Sequence, residues 1–172
     1  PGITATATVC DNLALYGGLM LTPDGPKVIE FNARLGDPET QVVLPRMESD
    51  LLDVFEAILD GTIDRTLIAW SPRPAVGVVL ASGGYPDAYE TGYAVTGLDG
   101  VDDDVAVFHA GTALSGDGAV VTAGGRVLTV AATGETLEDA RAHAYENAAR
   151  IGFEGAQYRR DIAALAPAAS GR

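Results

Sequence analysis

Glu30-Phe31-Asn32-Ala33-Arg34-Leu35-Gly36-Asp37-Pro38-Glu39 carries an apolar run into a group of charged and amide side chains. Side chains alternate along a strand, so Glu30, Asn32 and Arg34 share one face while Ile29, Phe31 and Ala33 take the other. The first face then holds a carboxylate, an amide oxygen and a guanidinium in one row. A hard cation such as Mg²⁺ takes oxygen ligands and keeps much of its water, and a guanidinium matches phosphate oxygens bidentately. The row reads as a place for a metal-bound phosphate. The same alternation also describes a plain half-exposed strand, so the row alone leaves both readings open. Its sequel, Gly36-Asp37-Pro38-Glu39, favours the first, because it breaks the strand with a turn and adds two carboxylates at the end of a rigid element.

On the amino-terminal side, Leu13 to Thr22 is an apolar run followed by the turn Pro23-Asp24-Gly25-Pro26, and Lys27 to Ala33 returns from it. The two runs predict a β-hairpin whose second arm delivers the polar row. A helix is predicted next, with Ser49 as N-cap, Asp50 and Asp53 in its first turn, and Leu51, Leu52, Phe55, Ile58 and Leu59 as an apolar stripe ending at Gly61. Residues 62–74, with Ser71-Pro72-Arg73-Pro74, read as a linker between two lobes.

Beyond the linker the pattern is one of short strands. Ala75 to Ala81 is apolar almost throughout, which predicts burial on both faces. Val105 to Ala110, Ala119 to Thr122 and Arg126 to Ala132 are further strands, and together they predict a small, mostly antiparallel sheet. One covering helix follows, capped by Thr136 with Asp139 at the third position, and lined by Leu137, Ala140, Ala144, Ala148 and Ile151. Ala163 to Arg172 reads as a frayed small-residue stretch, with the tail proper at 166–172. The fold class is therefore α/β (α+β): a hairpin and helix, then a mostly antiparallel β domain with a covering helix.

Composition bounds the function. The 172 residues are 47% hydrophobic and 20% charged, a size and mixture suited to one domain or two small ones with real cores. No apolar run reaches the ~18 residues of a membrane span, and no signal peptide opens the chain, so a cytoplasmic protein without membrane contact is expected. Cys10 is the single cysteine and reads as a small buried side chain. The net charge of −13, with Lys27 the only lysine, repels nucleic acids and anionic membranes. It also repels nucleotides and sugar phosphates, so any phosphate ligand needs local positive charge, a metal ion or backbone N–H groups.

Other features carry less. Gly83-Gly84 lacks the Lys and Ser or Thr of a P-loop and reads as a turn. Asp102-Asp103-Asp104 reads as a solvated acidic loop, and His109 as a packed, hydrogen-bonded imidazole rather than a zinc ligand. Ser82 and Ser115 have no evident base, which leaves a nucleophilic triad without support. Arg126 follows two glycines and opens a strand; a surface ion pair and a guanidinium projecting over a cleft both fit it.

Four blocks in order, EFNARLGDPETQVVLPRMESDLL (Glu30 to Leu52), VVLASGGYP (Val78 to Pro86), FHAGT (Phe108 to Thr112) and GGRVL (Gly124 to Leu128), closely resemble the carboxyl-terminal part of the phosphoribosylamine–glycine ligase family of ATP-grasp ligases. The resemblance runs from about Leu15 to Ile162 and includes the TLEDARAHAY helix. It implies that residues 1–61 end an ATP-grasp domain and 75–165 form the family's carboxyl-terminal domain. It implies a purine-biosynthesis reaction in which ATP activates glycine to an acyl phosphate that 5-phosphoribosylamine attacks. Carried over position by position, it implies Glu30 and Asn32 as ligands of Mg²⁺ (or Mn²⁺), and Arg34 as the catalytic, phosphate-facing arginine of the ATP site. It likewise implies Asp37 and Glu39 at the amine-substrate end. By analogy with related ATP-grasp enzymes, Arg126 becomes an anchor for the ribose phosphate.

The sequence departs from the family at Ala33, where cysteine is usual, at Leu35, usually aromatic, and at Ala123, usually asparagine. Pro1 to Ala14 does not resemble the family's lead-in, and the amino-terminal domain and ATP-grasp lid have no counterpart here. A part that turns over only with those missing domains is expected; a stand-alone, non-catalytic binding domain derived from the ligase is the alternative. Exposed edges of the hairpin predict pairing with a second copy.

Overall fold

The computed structural model describes residues 3–10 and 13–164, with side chains from residue 15 onward. The chain divides into two units, Pro1–Ser71 and Pro72–Arg172, and the division falls within the 62–74 stretch.

In the first unit, β1 (Ile3–Cys10), β2 (Leu13–Thr22) and β3 (Gly25–Asn32) form an antiparallel sheet in the order β1-β2-β3. The turn forms as the sequence dictates: Gly25 takes a left-handed φ of 97°, open to it because it lacks a Cβ, and Thr22 Oγ1 donates to Gly25 O at 2.7 Å. Strand β1, pairing Ile3 with Met20 through Cys10 with Leu13, was not expected from the sequence. The Cys10 side chain lies outside those described. The register of β2 on β3 shifts between Gly18 and Leu19, which pair with Glu30 and Val28 and leave Ile29 as the extra residue of a bulge. β3 ends at Asn32, so Arg34 lies past the strand, in a bend, rather than within it.

A short helix, α1 (Thr40–Val43), and a 3₁₀ turn lead to α2 (Leu51–Leu59). Its cap is Asp50, whose carboxylate accepts from Leu52 N at 2.7 Å. Ser49, the expected cap, instead accepts from Ala69 N at 2.8 Å, where the chain returns antiparallel through a Met47–Trp70 bridge. α2 buries Val54, Ala57 and Ile58, while Leu52, Phe55 and Leu59 of the expected stripe are exposed.

The second unit is built on β4 (Ala75–Ala81), β5 (Ala106–His109), β6 (Thr112–Leu114), β7 (Val120–Thr122) and β8 (Arg126–Thr133). Strands β4, β8 and β5 form one antiparallel sheet in that order, with β8 central; β6 and β7 form a separate hairpin. The centre of the sheet is the strand buried on both faces, since Val127 through Ala132 are all buried. β4 instead alternates, with Val76, Val78 and Leu80 inward, which corrects the expectation of burial on both its faces. Helix α3 (Leu137–Ala148) covers the sheet as its sequence predicts. Thr136 Oγ1 accepts from Asp139 N at 3.1 Å and the Asp139 carboxylate accepts from Thr136 N at 3.1 Å, a complete capping box. Ala140, Ala144 and Ala148 are fully buried, and small side chains at this spacing bring the helix close to Val78, Leu80 and Val130. Leu137, expected on that face, is 37% exposed. Ala163, expected to fray, is partly buried against the core; residues from 165 onward lie outside those described.

Candidate functional site

Register decides what shares the face of the polar row. Tyr16 pairs with Asn32 and Gly18 with Glu30, so Glu30, Asn32 and Tyr16 stand on one side of the sheet. A glycine opposite Glu30 leaves that carboxylate without a large cross-strand neighbour. Although Arg34 has left the strand, its guanidinium folds back: Nη2 donates to Asn32 Oδ1 at 3.3 Å and Nη1 to Leu35 O at 3.1 Å. The structure thus brings the guanidinium to the amide as the sequence reading expects, from a bend rather than along a strand.

The turn is held from within. Thr40 N donates to Gly36 O at 3.1 Å, and Gln41 Nε2 donates to Asp37 Oδ1 at 2.9 Å. Glu39 lies so close over Gly36 that an added Cβ would stand 2.3 Å from its Oε2. Tyr16 is the residue that sequence reasoning missed here. It lines one cleft with Arg34, Gly36 and Glu39, and partial burial, then a hydrogen bond with Glu39, push its phenol up, with the charges of Glu39 and Glu30 adding to the effect. The clue lay in its register opposite Asn32, which only the paired strands reveal.

The donors suit a divalent metal of a particular kind. Glu30 and Asn32 offer one carboxylate and one amide oxygen, and among the described residues no three His, Cys, Asp or Glu side chains form a metal cage. Two hard oxygen donors on an exposed rim, beside a guanidinium, fit a cation that keeps water and a ligand's phosphate oxygens as its other partners.

In the second unit the three later sequence blocks converge. Ala123 N donates to Gly111 O at 2.7 Å and Gly111 N to Arg126 O at 2.9 Å. Ser82 N donates to Gly125 O and Ser82 Oγ to Gly124 O, both at 2.8 Å. The glycines make this packing possible: a Cβ on Gly124 would stand 3.0 Å from Gly111 Cα, and one on Gly125 2.2 Å from Tyr85 Cδ2. Ser82 is 2% exposed and spent on this seam, which explains why a nucleophilic role found no base.

Arg126 emerges from the seam to line a cavity of about 500 Å³ with Val79, Ala81, Tyr85, Gln157, Tyr158 and Arg159. Arg159 is held bidentately by Asp161, at 2.9 and 2.6 Å, which raises the arginine's pKa and lowers the carboxyl's. Arg159, Tyr85 and Gln157 were not among the site residues expected from the sequence, although Tyr85 lies in the VVLASGGYP block.

Two further expectations are corrected. His109 is exposed, with Nδ1 3.0 Å from Thr112 Oγ1, rather than packed. Asp102 is no merely solvated acid: Arg150 Nη1 donates to it at 2.6 Å and Asn147 Nδ2 at 3.1 Å, with His143 Nε2 at 3.3 Å. Arg150 above all, then Asn147 and His143, hold its carboxyl at about 2. Asn147 is fully buried, so this network pins the 100–105 loop to α3.

The chain is α/β, a hairpin sheet with helices followed by a helix-covered antiparallel sheet, and its first part matches an ATP-grasp domain. The family model described as phosphoribosylglycinamide synthetase, C domain, matches residues 75–165, and that of the ATP-grasp (A) domain of the same synthetase matches 12–40. The chain belongs to the phosphoribosylglycinamide synthetase family. A phosphoribosylamine–glycine ligase of Halalkalibacterium halodurans is 53% identical over 152 residues, 88% of this chain and 35% of that protein. One from Xylella fastidiosa is 49% identical over 164 residues, 92% of this chain and 38% of that protein. The solved phosphoribosylamine–glycine ligase of Thermotoga maritima matches with a TM-score of 0.72 at 42% identity, covering 86% of this chain and 36% of that one. The Kluyveromyces lactis urea carboxylase, at 17% identity and a TM-score of 0.62, shares the fold. The chain spans about a third of the length of the curated relatives it matches. Membership of an ATP-grasp family implies, in general terms, the use of ATP and a divalent metal. No helix among the described residues is long and apolar enough to cross a membrane.

Proposed function

We propose that this chain is the carboxyl-terminal part of a cytoplasmic phosphoribosylamine–glycine ligase and supplies half of its active site. In this assignment residues 1–61 close the ATP-grasp domain, 62–74 link, 75–165 form the carboxyl-terminal domain and 166–172 are a tail. The observation that supports the reading is the Arg34–Asn32 contact at 3.3 Å near Glu30, a guanidinium beside a carboxylate and an amide oxygen, a grouping suited to a metal-bound phosphate.

The reaction joins glycine to 5-phosphoribosylamine. The glycine carboxylate takes the γ-phosphoryl group of ATP, releasing ADP; the amine then attacks the acyl carbon and phosphate leaves, giving glycinamide ribonucleotide. Such transfers need positioning and charge neutralisation more than covalent help from the protein. Glu30 and Asn32 would hold Mg²⁺, or Mn²⁺, which when bound neutralises charge on the nucleotide's phosphates. Arg34 binds a phosphate oxygen from the Asn32 side. Asp37 and Glu39 hold the ammonium or amine of a substrate, Glu39 being steadied by Tyr16. Arg126 anchors the ribose phosphate.

The test is genetic. In a purine-requiring strain that lacks this ligase, co-expression of the chain with the remaining two-thirds of a relative restores growth, and the chain alone does not. Growth equally well with Glu30→Ala in the paired expression would overturn the assignment.

A further inference from the structure

Gln157 is placed unlike any other polar side chain around the Arg126 cavity. Its backbone forms a two-bond bridge to Ala81, with Ala81 N donating to Gln157 O at 2.8 Å and Gln157 N to Ala81 O at 2.9 Å. Ala81 in turn pairs with Arg126 on its other side, so Gln157, Ala81 and Arg126 lie across three adjacent segments. The Gln157 side chain spends both amide hydrogens on one turn: Nε2 donates to Ser82 O at 3.0 Å and to Tyr85 O at 3.1 Å. Ser82 O also accepts from Tyr85 N at 3.1 Å, so the carboxamide closes the turn that carries Tyr85. The Tyr85 ring rests on Gly125, the residue before Arg126, where any Cβ would collide with it.

We propose that Gln157 is a positioning residue of this ligase: its carboxamide fixes the Ser82–Tyr85 turn so that Tyr85 seals the Gly125 side of the Arg126 cavity, and it thereby sets affinity for the phosphoribosylamine substrate. The proposal rests on the assignment of Arg126 to that substrate. It adds a group that touches no reactant and acts through another. Both hydrogen bonds go to carbonyl oxygens, so a side chain of the same shape without donors cannot replace it. Losing the clamp frees the turn, and an aromatic wall that must be ordered on binding costs affinity for the one ligand that uses it.

Gln157→Glu, near-isosteric, without the amide donors and carrying a charge, tests this on two levels, and Gln157→Met, uncharged and also without donors, must give the same changes. In the chain itself, the Gly125 α-proton NMR signals are expected to carry a ring-current shift from Tyr85, read as their difference from Tyr85→Ala; Gln157→Glu removes that shift, and Gln157→Asn, which keeps the donors one carbon shorter, retains part of it. In enzyme assembled with the rest of a relative's ligase, Gln157→Glu raises KM for phosphoribosylamine about fivefold to tenfold, the worth of one or two neutral hydrogen bonds. KM for ATP and kcat stay within about twofold. Tyr85→Ala, which removes the ring directly, reproduces the selective rise. A Gly125 shift unchanged in Gln157→Glu, an equal rise in every KM, or an unaltered KM in Tyr85→Ala overturns the proposal. If the parent assembly makes no ADP while Gly125 still responds to Gln157→Glu, the clamp stands and the ligase reading falls.

Discussion

Arg34 Nη2 lies 3.3 Å from Asn32 Oδ1, and the two residues are separated by the end of β3. β3 carries Asn32 and Glu30, while the bend beyond it carries Arg34, so the carboxylate and amide on one hand and the guanidinium on the other sit on differently constrained backbone. Under the proposed assignment, Arg34 releases Asn32 to the metal and turns to a phosphate oxygen, a change confined to the bend beyond β3.

Glu30 is exposed and Asn32 half-buried, so their replacement should cost function rather than fold. Glu30→Ala and Asn32→Ala each leave the unfolding free energy of this chain within about 0.5 kcal/mol of the parent, as for other surface changes away from packed features. In the assembled ligase each removes metal-dependent turnover. Chemical denaturation of the chain and an ADP assay across Mg²⁺ concentrations measure the two effects.

Arg34→Lys keeps the charge but loses the planar fork. It raises KM for ATP by about tenfold, equivalent to roughly 1.4 kcal/mol, with KM for glycine unchanged. Initial rates with each substrate varied in turn separate these outcomes, and unaltered kinetics would remove Arg34 from the phosphate site.

Arg126→Ala raises KM for phosphoribosylamine and leaves KM for ATP near its parent value, because the cavity it lines belongs to the second unit's own seam of glycine blocks. A selective effect on ATP would reassign it.

Asp102 gives a pH signature in stability. Its folded carboxyl is lowered from 3.8 to about 2, chiefly by Arg150, so its contribution is fully present above the ordinary value and is lost as pH falls towards the folded one. Stability should decline from about pH 4 down to about pH 2, and Asp102→Asn should flatten that limb. Thermal unfolding across this range, for parent and variant, reads it directly.

Much of the second unit was legible because its signals are local. Thr136 and Asp139 are three residues apart, and Ala140, Ala144 and Ala148 repeat at helical spacing, so cap and buried face were both readable. The hairpin was marked by Pro23-Asp24-Gly25 in the same way. Failures arose where a distant partner decides. Ser49 and Asp50 are both good caps, and Ala69, 20 residues from Ser49, takes the serine. Asp102 reads as a surface acid until α3 and the turn after it bring Asn147 and Arg150, 45 and 48 residues away, against it. At the candidate site, Glu30, Asn32 and Arg34 were visible as chemistry, whereas Tyr16 depended on strand register and Gln157 on a bridge to Ala81.

The most direct test of the central claim is the rate of ADP formation dependent on both glycine and phosphoribosylamine, measured with the purified chain alone, with the separately made remainder of a relative's ligase alone, and with the two combined. The account predicts turnover only in the combination, abolished by Glu30→Ala in this chain. Equal turnover by the chain alone, or a combined rate indifferent to Glu30→Ala, would contradict it.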